Sequence, residues 1–262
     1  MKPLFLITND DGVFSPGLKA AAEAVRHLGD LLIVAPISQQ TGMGRSFPRN
    51  ADVGIIEKVS LNISGFDTTA YGIHGSPAQA VAYGILELAD RTPDFCISGI
   101  NYGENLGLSV TCSGTLGAAF EADSHGIPSI AVSRQADLLV QHSESFESLD
   151  WEGCKTITRR IAEKVLKEGF PKQARILNVN LPAKISENTE IRLTRQSRQN
   201  YSVFTKPGPR DFTQGYVLSS HMDVDIETTE KDSDIYAVYF DRIVSLTPLT
   251  WDLSVPIDWD FK

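Results

Sequence analysis

The first half of the chain alternates short apolar runs with segments whose apolar residues recur at helical spacing. Leu4–Thr8 is almost continuously apolar and predicts a buried strand. In residues 18–28 the apolar side chains fall on one face of a helix, and Gly29 stands where a C-terminal cap is common. Three more apolar runs predict strands, at residues 31–35, 94–98 and 128–133. Strands without polar alternation, separated by helices, indicate a parallel sheet covered on both faces.

The second half of the chain is less regular. Residues 157–166 carry one more amphipathic helical pattern, and strands are predicted at residues 175–181, 191–195 and 236–246. Residues 196–215 are polar and predict a hairpin-like arm, which serves either as a mobile loop or as an oligomerisation element. We predict a single α/β domain over residues 1–262. Its Rossmann-like, mostly parallel core occupies residues 1–135, and residues 136–262 form a β-rich C-terminal part with oligomerisation elements.

Composition narrows the class of protein. The 262 residues are 42% hydrophobic, which suffices for one large α/β domain, and no apolar segment is long enough to span a membrane. Residues 1–3 lead directly into a strand without a signal-peptide pattern, so we expect a cytoplasmic protein that does not bind membranes. The net charge of −9 and the lack of a basic stripe argue against nucleic-acid binding. Three widely spaced cysteines indicate neither a disulfide framework nor a zinc site.

Polar residues follow each of the first three predicted strands. Asp10 and Asp11 come directly after the first, Thr41 after the second, and Asn101 and Asn105 after the third. The carboxyl ends of parallel strands meet at one edge of a sheet, so these side chains are expected to converge. Adjacent buried carboxylates repel each other unless a cation lies between them, although Asn-Asp-Asp-Gly alone is also an ordinary turn sequence. Oxygen and amide donors without His or Cys favour magnesium, manganese or calcium over zinc.

A helix start predicted at Ser113-Gly114-Thr115 adds an anion site to the same edge, because it offers free backbone N–H groups and two hydroxyls. A hard cation beside an anion pocket suits the hydrolysis of phosphate esters. In this hypothesis Asp10 and Asp11 hold the cation, a bound water is the nucleophile, and either aspartate accepts its proton. Ser113, Thr115 and the helix N-terminus stabilise charge on the phosphoryl oxygens.

Taken in order, these segments resemble the SurE family of survival proteins, which are metal-dependent 5′/3′-nucleotidases. The matching motifs are spread over most of the chain: TNDDG at residues 8–12, QTG at 40–42, GSP at 75–77, SGINYGENLG at 98–107, SGTLGAA at 113–119, LNVNLP at 177–182 and TPL at 247–249.

The resemblance implies a site and an activity. One divalent ion per subunit, Mg²⁺ or Mn²⁺, is expected on Asp10, Asp11, Thr41 and Asn101. The phosphate is expected near Asn9, Asn101, Ser113, Gly114 and Thr115. Asn105 is a further candidate for the phosphate site, or it caps the next turn. The implied substrates are nucleoside 5′- and 3′-monophosphates and other small phosphoesters. The implied assembly is a homodimer or homotetramer that exchanges C-terminal elements.

Three positions depart from the family pattern. Thr41 stands where Ser is usual, Gln79 stands where an acid is usual, and Arg45 lies in a loop that normally carries no cation. Arg45 either grips a second phosphate or a carboxylate, or is a solvated loop residue. These changes bear on substrate preference more than on the type of reaction.

Two other functions remain open from the sequence. One is a non-catalytic module of the same fold that binds a nucleotide or a metal. The other is a phosphatase with an aspartyl-phosphate intermediate, which needs a second acid two residues after its nucleophile and a later Lys. The adjacent acids of this chain disfavour that mechanism.

Overall fold

The computed structural model describes residues 1–137, 146 and 149–255. Its eleven strands are β1 (Leu4–Thr8), β2 (Asp30–Pro36), β3 (Ile56–Ile63), β4 (Phe66–Ile73), β5 (Phe95–Tyr102), β6 (Ser129–Arg134), β7 (Ile176–Leu181), β8 (Ile191–Leu193), β9 (Ser202–Phe204), β10 (Ser220–Met222) and β11 (Val244–Leu249). The four α-helices are α1 (Pro16–Val25), α2 (Pro77–Tyr83), α3 (Gly114–Ser124) and α4 (Glu152–Glu168). Short π-helical or 3₁₀ segments cover Gly84–Leu88, Gly107–Thr111 and Tyr236–Phe240.

Nine strands form one sheet, in the order β3-β4-β2-β1-β5-β6-β7-β11-β8. All neighbours from β4 to β7 run parallel, whereas β3 is antiparallel to β4 and β11 is antiparallel to β7. The remaining strands, β9 and β10, pair as an antiparallel ribbon. The arm therefore runs from residue 196 to residue 222, beyond its predicted end at residue 215. The predicted α/β class, the mostly parallel sheet and the hairpin-like arm are confirmed.

Helices cover both faces of the sheet, as the side chains of β1 demonstrate. Phe5 and Ile7 belong to an apolar cluster that includes α1 and α4. Leu6, between them, belongs to a second cluster that includes α2 and α3. Because successive side chains of a strand point to opposite faces, the two clusters lie on opposite sides of the sheet. Burial on both sides explains why the central strands are continuously apolar.

The structure gives Gln79 a role in starting α2. Ser76 Oγ accepts from the Gln79 backbone N at 3.1 Å, and Gln79 Oε1 accepts from the Ser76 backbone N at 3.0 Å. This reciprocal pair satisfies two backbone N–H groups that a helix start otherwise leaves without partners. Gln79 Nε2 also donates to the Pro48 carbonyl at 2.8 Å. An acid at this position could cap the helix in the same way, so the contribution specific to the amide is the hydrogen bond to Pro48.

Two local predictions were wrong. The apolar run from residue 236 was predicted as a strand, but Tyr236–Phe240 is helical and the strand is Val244–Leu249. Ser233 and Asp234 favour the helical start, because their side chains accept from the backbone N of Tyr236 and Ile235. The third strand of the prediction was too short, since β5 continues to Tyr102. Across the ranges that the structure describes, no helix combines the length and apolar character needed to cross a bilayer.

Candidate active site

The carboxyl ends of β1, β2 and β5 meet at one edge of the sheet, where α3 begins. A cavity of about 270 Å³ lies there. Five residues predicted from the sequence line it, namely Asp10, Thr41, Asn101, Asn105 and Ser113. The rest of its wall comes from the loop after β2, the end of β5 and the loop after it, the 3₁₀ segment before α3 and the arm. These residues are Gly42, Tyr102, Glu104, Ser109, Cys112, Tyr201, Ser202, Val203, Phe204 and Ser220.

The paired acids are buried, and no cationic side chain among the described residues lies beside them. Asp10 and Asp11 are each 3% exposed. In the described part of the chain, no Lys, Arg or His nitrogen lies within 4.0 Å of either carboxylate. Burial raises the pKa of both groups, and repulsion from Asp10 raises the pKa of Asp11 further. A bound cation would relieve both effects.

Hydrogen bonds hold the two carboxylates in place without neutralising them. Asp10 Oδ1 accepts from Thr115 Oγ1 at 2.6 Å. Asp11 accepts from the backbone N of Tyr102 at 3.0 Å and from Gln39 Nε2 at 3.3 Å. Each oxygen of Asp11 therefore faces a protein donor. Of the two acids, only Asp10 lines the cavity.

The groups around Asp10 fit a hard divalent cation. Asn101 Nδ2 donates to the Gly103 carbonyl at 2.6 Å, so the side-chain oxygen of Asn101 remains for a ligand. The backbone N of Gln40 donates to the Asp10 carbonyl at 2.7 Å and ties the loop that carries Thr41 to the end of β1. No cluster of three His, Cys, Asp or Glu side chains suited to a metal occurs among the described residues. The available donors are carboxylate, amide and hydroxyl oxygens, which suit Mg²⁺ or Mn²⁺ better than Zn²⁺.

The start of α3 approaches the acids because residue 114 is a glycine. A Cβ added at Gly114 would lie 2.8 Å from both Cβ and Oδ2 of Asp10. Ser113 is the N-cap, and its Oγ accepts from the Leu116 backbone N at 3.1 Å while its hydroxyl proton stays available. The positive end of the helix and the Ser113 hydroxyl therefore face the cavity beside Asp10, which favours an anion at that point.

Asn9 has a different function from the one expected of it. It is completely buried and does not line the cavity. Its Nδ2 donates to the Gly12 carbonyl at 3.1 Å, and its Oδ1 accepts from the Gly12 backbone N at 3.2 Å. Gly12 has φ +103°, a conformation that glycine adopts most easily. Asn9 therefore holds the turn that carries the acids, and its side chain does not reach toward a phosphate.

Comparison with known proteins identifies the family of the chain. A family model described as "Survival protein SurE" matches residues 5–203. The chain belongs to the SurE family. It is 40% identical over 257 residues to the 5′-nucleotidase SurE of Methanocella arvoryzae, covering 95% of this chain and 92% of that protein. It is 36% identical to the 5′-nucleotidase SurE of Thermococcus gammatolerans, covering 97% and 92%. The crystal structure of the SurE protein from Aquifex aeolicus matches with a TM-score of 0.73 and 33% identity, over 96% of this chain and 95% of that one.

Arg45, the cation that departs from the SurE pattern, is bound to other residues. Its guanidinium pairs with the buried Glu121 at 2.7 Å. It also lies over the rings of Phe47 and Trp251, at 5.4 and 5.1 Å from their centroids. Arg45 thus joins its loop to α3 and to the C-terminal segment. Of the partners predicted for Arg45, the one present is a carboxylate, that of Glu121 within the chain itself, and Arg45 does not line the cavity.

Sequence reasoning missed several groups of this SurE site. The Tyr102 contact to Asp11 is made by a backbone N–H, which residue type does not reveal. Val203 and Phe204 reach the cavity from the arm, about a hundred residues beyond Asn101, and carry no charge or motif that marks them. Cys112, the exposed neighbour of Ser113, was visible in the sequence but had no pattern linking it to the cavity.

Proposed function

We propose that this protein is a metal-dependent phosphomonoesterase that hydrolyses nucleoside 5′-monophosphates, with 3′-monophosphates and other small phosphoesters as further substrates. The observation that carries the proposal is the buried pair Asp10 and Asp11. No cationic side chain among the described residues lies beside the pair, and Asp10 adjoins the N-terminus of α3. Relatives named 5′-nucleotidase, at 36–40% identity over nearly the whole chain, support the substrate class.

One Mg²⁺ or Mn²⁺ per subunit is proposed on Asp10, Asp11, Thr41 and Asn101. Such an ion neutralises the carboxylates, polarises a phosphoryl oxygen and lowers the pKa of a bound water. The fit rests on the oxygen-only donor set and on the Asn101 amide, whose nitrogen is already bound to Gly103. Thr41 supplies a hydroxyl where Ser is usual in the family.

The residues of the chain supply positioning and charge stabilisation. Ser113 and the first backbone N–H groups of α3 donate to the phosphoryl oxygens, where negative charge develops in the transition state. We assign proton acceptance from the attacking water to Asp10, because Asp10 lines the cavity whereas Asp11 faces protein donors. Thr115 holds Asp10 in place through its 2.6 Å hydrogen bond.

The shape of the cavity leaves a place for the nucleoside. Its wall continues from Asp10 and Ser113 to Val203 and Phe204 on β9. A phosphate at the start of α3 would direct the rest of the substrate toward this apolar wall. Phe204 is 72% exposed, so its ring is accessible for stacking on a base.

The proposed assembly is a homodimer or homotetramer in the cytoplasm. Apolar exposure on the arm supports self-association, since Phe212 is 86% exposed and Val217 is 93% exposed. Large apolar side chains exposed on one segment are expected where proteins associate.

A turnover assay tests the function. The metal-free protein is supplied with AMP and Mn²⁺, and released phosphate is measured with and without a chelator. Phosphate release is expected only with metal. Asp10→Asn is expected to lose it, whereas Asp67→Asn, which changes an exposed acid in β4, keeps it. If nucleotide binds without phosphate release, the non-catalytic module is the correct function.

A further inference from the structure

Two buried asparagines on β7 bind the backbone of a single residue at the cavity. Asn178 and Asn180 have no exposed surface. Asn180 Oδ1 accepts from the Asn105 backbone N at 2.7 Å, and Asn180 Nδ2 donates to the Asn105 carbonyl at 3.1 Å. Asn178 Nδ2 donates to the same carbonyl at 2.9 Å. Interior positions of a parallel sheet normally carry apolar residues, so this use of two amides requires an explanation.

We propose that Asn178 and Asn180 are positioning residues. They fix Asn105 so that it presents its side-chain oxygen to the cavity. This inference rests on the proposed phosphoesterase function.

The hydrogen bonds of Asn105 determine which end of its amide faces the cavity. Its Nδ2 donates to Ser133 Oγ at 2.8 Å and lies 3.4 Å from Thr115 Oγ1. An amide nitrogen carries two protons, so both are committed. Thr115 gives its own proton to Asp10 at 2.6 Å and must therefore accept from Asn105. The remaining polar atom of the side chain is Oδ1, for which no described residue supplies a donor.

Because Asn105 Oδ1 accepts hydrogen bonds, its partner in the cavity must be a group that donates one. This oxygen repels the oxygens of a phosphate dianion, but it accepts from a water molecule or from the hydroxyl of a leaving group. Asn105 is therefore assigned the orientation of the attacking water or the leaving hydroxyl. This differs from the phosphate contact for which the sequence made Asn105 a candidate.

Residues 178, 179 and 180 of β7 allow an experiment with a matched control. Asn180→Ala removes two hydrogen bonds to Asn105, and Asn178→Ala removes one. Val179→Ala is the control, because Val179 is equally buried but belongs to the apolar cluster on the opposite face of the sheet. The measurements are kcat and KM for AMP, the Mn²⁺ concentration at half-maximal rate, and Tm.

Positioning predicts a loss in kcat alone. For Asn180→Ala we expect kcat to fall about tenfold or more, with KM and the Mn²⁺ requirement changed less than about threefold. Asn178→Ala is expected to lose less, because Asn180 still binds both the backbone N and the carbonyl of Asn105. Val179→Ala is expected to lower Tm while kcat stays within about twofold of the wild-type value.

A crystal structure of Asn180→Ala supplies a readout that does not depend on turnover. The Asn105 side chain is expected to move away from Ser133 Oγ. The proposal is overturned if Asn180→Ala keeps the wild-type kcat, if Asn105 stays in place, or if Val179→Ala loses as much kcat as Asn180→Ala. If Asn180→Ala does not fold, Asn178→Ala decides by the same criteria. A wild-type protein without phosphatase activity would refute the proposed function instead, and the position of Asn105 would still test the role of β7.

Discussion

Replacing Asp10 by Asn should make the metal-free protein more stable while it removes the response to metal. The variant loses one of two adjacent buried charges. Its side-chain oxygen still accepts from Thr115, so the 2.6 Å hydrogen bond of the wild type has a replacement. The repulsion that raises the pKa of Asp11 disappears with the charge. The proposed cation site depends on the same charge.

The size of the metal effect follows from linkage. A ligand that binds only the folded state at a hundred times its Kd stabilises it by about 2.7 kcal/mol. For a chain of this length each kcal/mol shifts Tm by about 2–4 °C, so Mn²⁺ should raise the wild-type Tm by roughly 5–11 °C. We expect a shift of less than about 2 °C for Asp10→Asn. For each pKa unit by which the substitution lowers a raised pKa, the free energy of unfolding of the ionised, metal-free protein increases by about 1.4 kcal/mol.

The direction of the pH dependence is fixed by the raised pKa values. Asp10 and Asp11 in the folded protein hold protons at a pH where the unfolded chain, with a pKa of 3.8, has released them. Their contribution to stability is complete below that value and is lost as the pH rises through the folded pKa values. The metal-free wild type should therefore lose stability from these groups between about pH 4 and pH 8. Asp10→Asn should flatten this decline.

Differential scanning calorimetry of chelator-treated protein checks all three expectations, at about pH 5 and about pH 8 and with and without Mn²⁺. Asp67→Asn serves as the control, since it removes an exposed acid elsewhere. A full Mn²⁺ shift in Asp10→Asn would show that Asp10 is not a ligand. A metal-free Asp10→Asn no more stable than the wild type at the higher pH would refute the account of the buried pair.

Three further predictions concern residues in the wall of the cavity or directly beside it. Gly114→Ala should lower kcat for phosphate release by about a hundredfold or more, because the new Cβ must displace Asp10. The control Gly215→Ala should keep the wild-type rate, because its Cβ would meet no atom within 4 Å. N-ethylmaleimide should label Cys112 alone and block hydrolysis, because the thiols of Cys96 and Cys154 are buried and have a raised pKa. Peptide mass spectrometry identifies the labelled thiol, and AMP should protect it. Inhibition of Cys112→Ser by the reagent would contradict this prediction. Phe204→Ala should raise KM for AMP about fivefold or more and leave KM for glycerol 2-phosphate unchanged, whereas equal changes would exclude base stacking.

The sequence predicts the central sheet well because burial on both faces leaves an unmistakable apolar run. Leu4–Thr8 was predicted with its observed bounds for this reason. Tyr236–Phe240 was predicted wrongly because its aromatic and branched residues satisfy a strand pattern equally well, and the groups that start its helical turn lie just before it. Pattern alone does not separate these outcomes when an apolar run is short.

The sheet topology predicted that the residues of the candidate site lie together. It did not predict which of their polar atoms are already hydrogen-bonded within the protein. Asp10, Thr41 and Asn101 were expected together because parallel strands end at one edge. Whether an amide in the site is free depends on partners that are distant in sequence. Asn105 is held by side chains 73 and 75 positions away, and no local rule connects them. The arm residue Phe204 was missed for the same reason.

Asn180, Asn105, Thr115 and Asp10 are joined in series by hydrogen bonds. The protonation state of Asp10 determines which group donates between Asp10 and Thr115 and between Thr115 and Asn105. An ionised Asp10 only accepts, so Thr115 must give it a proton and accept one from Asn105. Asn105 must then turn its nitrogen inward and its oxygen toward the cavity. A protonated Asp10 can itself donate to Thr115, and the need for that orientation disappears. Because a bound cation favours the ionised form of Asp10, cation binding and the orientation of Asn105 should be coupled through Thr115, and Asn180 holds the far end of that series.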